Sequence, residues 1–162
     1  MGLLMPAGLR FRSGGLTEIC ARGEALRGDC PKGSQVGTGF GRTPMLARPL
    51  RGAIYVVQPR GNGEPDLWAH LEGEGVELDL PSVNSTVDGR VETKFQGVPD
   101  MALSAFTMDL EGGKHGLLSL ERELCVKGKP RGLAAAASLE GQNAAYRTLR
   151  VPVTVPKTCR AG

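Results

Sequence analysis

The stretch "VELDLPSVNSTVDGRVETKF", residues 76–95, decides the fold that the sequence predicts. Its first five residues alternate apolar and acidic side chains, which is typical of a strand with one buried and one solvated face. The pair Asp88-Gly89 is typical of a two-residue hairpin turn with primed geometry. Beyond the turn, the inward positions are Val91, Thr93 and Phe95. The stretch therefore predicts two antiparallel strands joined by a tight turn.

Alternating segments recur on both sides of this hairpin. In "DLWAHLEG", residues 66–73, one face carries Leu67, Ala69 and Leu71, and the other carries Trp68 and His70. Further strands are predicted in "VGTGFG", where Val36, Thr38 and Phe40 alternate with glycines, and in "AIYVV", "AFTMDL", "LAAAASLE" and "AYRTLRVPVTV". Strands of this length, separated by Gly, Pro, Asn and Asp, predict an all-β antiparallel sandwich of the immunoglobulin-like or jelly-roll-like kind.

The chain of 162 residues is long enough for one domain with a core, and its 24 glycines and 11 prolines suit a turn-rich β fold. One short helix is expected within residues 17–27, with Thr17 as its cap. Residues 1–33 are expected to form an N-terminal arm, with an edge strand around Leu9 and Phe11, and residues 34–159 the sandwich core. The sequence therefore predicts a single domain over residues 1–162.

The charge pattern disfavours nucleic acid as a partner. The net charge of +3 is dispersed, and no basic run with interleaved aromatic residues is present to stack bases. No apolar run approaches the length that spans a bilayer, and "MGLLMPAGLRF" lacks the features of a signal peptide. No membrane span is predicted, and an exported chain would carry its targeting segment on a longer precursor.

The four cysteines, Cys20, Cys30, Cys125 and Cys159, include no C-x-x-C pair, so neither a zinc ribbon nor a thioredoxin-type motif is indicated. Disulfides are the favoured interpretation, and buried free thiols are the alternative. Three connectivities are possible. We favour bridges between sequence neighbours, Cys20 with Cys30 and Cys125 with Cys159, which would place the protein in an oxidising, extracellular setting.

Catalytic signatures are absent from the sequence: it contains no G-x-S-x-G, H-E-x-x-H or P-loop motif. "GTGFG" at residues 37–41 is followed by Arg-Thr-Pro, which is not the helix that a dinucleotide site requires. A hydrolase would have to use His70 or His115 with a carboxylate and a nucleophile, and neither histidine has such neighbours in the sequence. No cofactor is predicted, and the chain is expected not to be an enzyme.

Other residues suggest weaker hypotheses. Aspartates at strand ends are interpreted as solvated turn acids, since no calcium-loop motif includes them: Asp66, Asp79, Asp88, Asp100 and Asp109. Asn84 in "NST" matches a glycosylation acceptor. Trp68, the single tryptophan, is either a binding residue that acts with Tyr55 or a residue packed in the fold, and we favour packing.

Six segments, in this order, resemble an uncharacterised cysteine-containing repeat domain of secreted or cell-wall-associated actinobacterial proteins. They are "DCPKGSQVGTG", "PLRGAIYVVQP", "PDLWAHLEG", "GRVETKFQGVPDMALSAFTMDLEGGKHGLL", "ELC" and "LEGQNA", and the resemblance covers residues 6–159. It implies a cysteine-stapled β-sandwich that occurs in tandem, and it implies no catalytic or ligand residues. The chain departs from the pattern at Ala144, where a glycine is expected, in lacking a leader, and in being a lone domain.

The function predicted from these observations is a non-enzymatic structural or adhesive module of an extracellular or cell-envelope protein. Its expected partners are neighbouring domains of a longer chain or envelope components. Such a module should expose an apolar patch or strand edges that can pair with a partner. Two alternatives stay open: a carbohydrate-binding module with Trp68 and Tyr55 side by side on an open face, and a hydrolase around His70 or His115.

Overall fold

The computed structural model describes residues 1–60, 63–97, 102–111, 116–121, 125–126, 129–130, 133–141 and 143–152. The strands of these residues are β1 Gly2–Leu4, β2 Leu9–Phe11, β3 Gln35–Arg42, β4 Leu50–Val57, β5 Asp66–Gly73, β6 Val76–Val87, β7 Arg90–Phe95, β8 Ala105–Leu110, β9 Leu118–Leu120, β10 Cys125–Val126, β11 Lys129–Pro130, β12 Ala134–Glu140 and β13 Tyr146–Pro152. The helix α1 is Arg22–Ala25, and 3-10 turns occupy Ser13–Gly15 and Lys32–Ser34.

Nine strands form one sheet in the order β13-β12-β1-β7-β6-β5-β4-β3-β8. Every neighbouring pair in this sheet is antiparallel. Two further pairs, β2 with β9 and β10 with β11, are also antiparallel. The all-β antiparallel class predicted from the sequence is therefore confirmed.

The hairpin predicted at residues 88–89 is confirmed. Val87 pairs with Arg90, which leaves Asp88 and Gly89 as the two-residue loop between β6 and β7. Both loop residues have positive φ, 49° at Asp88 and 68° at Gly89, as a type I′ turn requires. The Asp-Gly sequence supplies residues that tolerate this left-handed backbone, so the turn fixes the register of the two strands.

The nine-stranded sheet curls until its β8 end faces β7. Phe106 of β8 and Phe95 of β7 lie five positions apart in the strand order. Their rings nevertheless meet edge to face, with centroids 5.4 Å apart. A flat sheet would hold these strands more than about 20 Å apart at the usual strand spacing, so the contact requires strong curvature.

The main core lies on the inner face of this curled sheet. Leu67, Ala69 and Leu71 of β5 point into it, as the alternation predicted. The other fully enclosed members are Val36, Leu50, Ile54, Val56, Leu78, Leu80, Phe95 and Leu117. The β2–β9 pair adds cover, because Phe11 packs against this core and Arg12 N donates to Leu117 O. At about 25 cal/mol per Å² of apolar surface removed from water, this core is the main source of stability.

Glycines let neighbouring strands approach closely inside the curl. A Cβ at Gly52 would lie 1.8 Å from the backbone oxygen of His70, and one at Gly39 would lie 2.6 Å from Leu71 Cδ2. In β3 a register shift between Gln35 and Gly37 changes the alternation that the sequence suggested. As a result Val36 and the glycines face inward, while Thr38 lies on the exposed face.

The N-terminal region is more closely integrated than the expected arm. Gly2–Leu4 is an inner strand, paired with β12 on one side and β7 on the other. Leu9–Phe11 forms a strand as predicted, in the small β2–β9 sheet. The helix is shorter than residues 17–27, because Cys20 is extended: its N–H donates to Val56 O and its carbonyl accepts from Gln58 N. Thr17 therefore caps no helix and instead donates its hydroxyl to Gly33 O.

The C-terminal strand predictions are confirmed where the structure describes the chain. The alanine-rich segment forms β12 and pairs with β13 along seven residues. In β8, Phe106, Met108 and Leu110 pack against the core and Asp109 is exposed. Asp100, His115 and Cys159 lie outside the described residues, as does the side chain of Cys125, so the second predicted disulfide stays a prediction.

Candidate functional site

The predicted Cys20–Cys30 disulfide is present, with Cα atoms 5.3 Å apart. It belongs to a second cluster, here called the disulfide cluster, which lies on the outer face of β4 and β5. Its members are Cys20, Cys30, Ala25, Val57 and Trp68. Cys20 is 0% exposed and Trp68 is 5% exposed. The segment containing α1 therefore covers one end of the outer sheet face, and β5 is buried on both sides there.

A buried ion pair connects α1 to the same end of β5. Arg22 donates through Nη2 to Asp66 Oδ2, and the Asp66 side chain is 1% exposed. The other carboxylate oxygen accepts the backbone N–H of Asn84 at 2.9 Å. Asp66 was predicted to be a solvated turn acid, and this interpretation is wrong. Its carboxylate pairs with the Arg22 guanidinium and accepts a hydrogen bond from the backbone of β6. This buried charge therefore has a structural role.

Asn84 and Ser82 complete this polar arrangement within β6. The Asn84 amide nitrogen donates to Pro65 O, and the side chain is 5% exposed. The Ser82 hydroxyl accepts the backbone N–H of Leu67 at 2.8 Å. The amide that a glycosyl transferase would modify is thus engaged inside the fold, so the "NST" match at Asn84 offers no accessible acceptor in the folded chain.

The one pairing of a histidine with a carboxylate in the described part of the chain lies beside the disulfide cluster. Asp79 Oδ1 accepts the indole N–H of Trp68 at 2.8 Å and also lies 2.9 Å from His70 Nδ1. All three residues project from the outer face, where His70 is opposite Asp79 in the β5–β6 register. Asp79 is partly exposed and His70 is half-buried. Asp79 therefore satisfies the polar atom of a buried tryptophan and orients the imidazole.

The strand register gives the side chains that lie in line with His70 on its β4 side, which are Ala53 and then Thr38. Thr38 is two strands away, about 10 Å at the usual strand spacing, beyond hydrogen-bond distance of the imidazole. The residue opposite His70 on β4 is therefore Ala53, whose side chain is not a nucleophile.

The structure places Trp68 and Tyr55 opposite each other in the β4–β5 register. Trp68 is packed in the disulfide cluster, as we favoured, and its ring is not presented to solvent. Tyr55 is half-buried. A sugar-stacking platform needs exposed ring faces, so the pair does not form the open aromatic surface expected of a carbohydrate-binding module.

The aspartates expected at strand ends do not converge. Asp79, Asp88 and Asp109 are exposed and belong to different strands or turns. Within the described ranges, no group of three His, Cys, Asp or Glu side chains is placed to hold a metal ion. Those same ranges contain no helix long and apolar enough to cross a membrane.

A different candidate surface is formed by the two outer strands of the nine-stranded sheet, β8 and β13. No described strand pairs with the outer edge of either. The side chains of β13 are almost all exposed, including Tyr146 at 68% and Val151 at 42%. An open cavity of about 660 Å³ lies beside the start of β8 and is lined by Phe95, Phe106 and Leu139, among others. Among the described residues, the sheet thus ends in two strands that have a neighbour on one side only.

Comparison of the chain with protein-family models, curated proteins and solved structures finds no match. The resemblance to a secreted repeat domain therefore stays a prediction.

Sequence reasoning missed two arrangements. The Arg22–Asp66 pair joins residues 44 positions apart, and no local pattern marks it. The Asp79 contact with Trp68 and His70 has a visible signal, since all three lie at outward positions of two adjacent predicted strands. Finding it requires the strand register, which the intervening Glu74-Gly75 turn sets.

Proposed function

We propose that the chain is a non-enzymatic structural or adhesive module of an extracellular or cell-envelope protein. Its curled sheet would serve as a sandwich, with β8 packed over β7 and the β2–β9 pair closing one end. Neighbouring domains of a longer chain or envelope components are its proposed partners. The observation that carries the proposal is the Cys20–Cys30 disulfide, which belongs to the same packed cluster as the buried Trp68.

The disulfide supports an oxidising compartment for a physical reason. Structural bridges of this kind persist outside the reducing cytosol. Closing a loop with a sequence separation of 10 residues contributes roughly 3 kcal/mol on the chain-entropy model. The bridge also holds the segment that carries Arg22, the partner of the buried Asp66 carboxylate. A protein folded without the bridge would lose the loop-closure contribution, and the segment that carries Arg22 would be held by its other contacts alone.

The test is to equilibrate the folded protein in a glutathione buffer that has the redox potential of the cytosol. Free thiols are then trapped and the cysteines that carry them are mapped. We expect Cys20 and Cys30 to stay linked, because Cys20 is fully buried and Cys30 is half-buried, which restricts the access of an attacking thiolate to the bridge. Denaturant unfolding in the presence of strong reductant should occur at a lower midpoint. A bridge that reduces readily in that buffer, with no change in the unfolding midpoint, contradicts an extracellular structural role.

The His70–Asp79 pair favours a hydrolase as the second candidate, and a direct comparison separates the two. The wild type and a His70→Ala variant would be incubated with chromogenic esters, peptides and glycosides. We expect no turnover that depends on His70, since the residues opposite it in the strand register, Ala53 and Asp79, include no serine, threonine or cysteine. Turnover by the wild type that the variant loses would support the hydrolase and overturn the non-enzymatic assignment.

A further inference from the structure

The free side of β8 presents its backbone groups in a fixed pattern. Glu111, the residue after this strand, donates its N–H to Val36 O of β3 at 2.8 Å. Because the backbone groups of successive strand residues point in opposite directions, those of Asp109 also point to β3. The N–H and C=O groups of Met108 and Leu110 therefore point away from β3. Within the described ranges, β8 has a neighbouring strand on its β3 side only.

The residues whose backbone groups point away from β3 are also those whose side chains face the core. Phe106 has the same orientation as Met108 and Leu110, and all three pack against the core. In an antiparallel pair, two residues that exchange hydrogen bonds lie opposite each other, with their side chains on the same face. A strand added antiparallel to β8 would therefore bond through its own inward-facing residues.

An apolar space lies beside this edge, on the inward face. The cavity of about 660 Å³ is bounded on the β8 side by Leu103 and Phe106. Leu80 and Phe95 line it from β6 and β7, and Leu139 lines it from β12. Leu80 is fully buried and Leu139 is 38% exposed, so the cavity extends from the core to the surface. Its volume is in the range of protein sites that bind a ligand.

Exposed acids lie around this edge. Asp109 is exposed in β8, Glu111 follows the strand, and Glu140 lines the cavity from the end of β12. Arg147 lies opposite Leu139 but belongs to β13, one strand farther along the sheet. Basic side chains at the outward positions of a bound segment would therefore favour its binding.

We propose that the free edge of β8 binds an extended segment of another protein, antiparallel to β8, in which apolar and basic side chains alternate. The apolar side chains would enter the cavity beside Phe106, and a basic one would lie opposite Asp109. Strand addition of this kind is a common mode of peptide recognition. The inference rests on the proposed function, because it gives the adhesive module a partner of stated chemistry.

A second copy of the chain fits this edge less well. Gly141 N donates to Ala145 O, so the residues of β13 that alternate in step with Ala145, such as Leu149, direct their backbone groups to β12. The free backbone groups of β13 include those of Arg150, which would then face the core side beside Met108. A second β8 would add further acids to an edge that is already acidic.

The experiment is a fluorescence anisotropy titration with a labelled nine-residue peptide of alternating valine and lysine. The wild type should bind it saturably, and a peptide of alternating valine and glutamate should bind about ten-fold more weakly. N-methylation of the valines removes the N–H groups that would face β8 and should abolish binding. N-methylation of the lysines should not, because their N–H groups would point away.

Variants of the protein test the two parts of the site, and circular dichroism would verify that each is folded. Leu139→Asp should weaken binding of the valine–lysine peptide about ten-fold, by placing a charge in the apolar wall. Val151→Asp is the matched control, because Val151 is exposed on β13 and does not line the cavity. Asp109→Lys should reverse the preference between the two peptides, whereas Glu77→Lys, on the outer face of β6, should not.

No saturable binding of the valine–lysine peptide would overturn the inference, and so would equal losses from the two N-methylations. A wild type that self-associates in sedimentation velocity and thereby excludes the peptide would assign the edge to a second copy, which also overturns it. A reduction-resistant disulfide without peptide binding would overturn this inference alone. A readily reduced bridge in a protein that binds the peptide would overturn the extracellular role alone.

Discussion

Strands β5 and β13 show how differently two predicted strands of similar length can be embedded. In β5 the residues from Asp66 to Ala69 are all buried, since the core covers one face and the disulfide cluster covers the other. In β13 only Leu149 is even half-buried. The first strand is held by packing on both faces, and the second by its ladder with β12. The difference implies that stability resides in the centre of the sheet and that the β12–β13 end contributes little to it.

Of the substitutions that test this contrast, truncation of Trp68 should lower the free energy of unfolding most. Trp68→Ala would leave a cavity in the disulfide cluster and should lower the free energy of unfolding by about 3 to 5 kcal/mol. Leu149→Ala in β13 is the comparison, and it should cost less than about 1 kcal/mol because its side chain is only half-buried. Urea denaturation of both variants measures the two values, and equal losses would refute a difference in embedding.

Removal of the disulfide should have the next largest effect. The double variant Cys20→Ser/Cys30→Ser should lose roughly 3 kcal/mol, mainly because its unfolded chain gains conformational freedom. The midpoint in guanidinium chloride would fall accordingly. A variant as stable as the wild type would show that the segment bearing α1 is held by the Arg22–Asp66 pair and the backbone contacts without help from the bridge.

Substitutions at Asp79 and His70 test which residue of the His70–Asp79 pair stabilises the fold. Asp79→Ala should cost about 1 to 3 kcal/mol, because the indole N–H of a buried tryptophan loses its acceptor. Asp79→Asn retains an acceptor oxygen and His70→Ala leaves the tryptophan bond intact, so each should cost less than about 0.5 kcal/mol. Thermal unfolding of the three variants distinguishes them. If His70→Ala lost as much stability as Asp79→Ala, the histidine would be the residue with the structural role.

The smallest effect on stability is expected at the sheet edge. Arg150→Asp changes an exposed side chain of β13 and should shift the free energy of unfolding of the monomer by less than about 0.5 kcal/mol. Urea denaturation measures this value. A large loss would mean that Arg150 supports the fold of its own chain, which would contradict the weak embedding of β13.

The sequence predicted best those strands that carry a clear alternation. The β6–β7 hairpin follows from a period of two and an Asp-Gly turn, and β5 from the separation of Leu67 and Ala69 from Trp68. The insertion of Gly2–Leu4 between β7 and β12 could not be predicted, since it depends on pairs as distant in sequence as Leu3 with Thr93 and Leu3 with Ala137. The burial of Asp66 could not be predicted either. A carboxylate at the start of a strand gives the same local sequence pattern whether water solvates it or an arginine pairs with it.

Amide hydrogen exchange read by mass spectrometry tests the central contrast most directly. The amides of β4, β5 and β6 should exchange only through global unfolding, while those of β13 should exchange much faster by local opening. The account would be contradicted if β13 were as protected as β5, because the hairpin of β12 and β13 would then be as firmly embedded as the centre of the sheet.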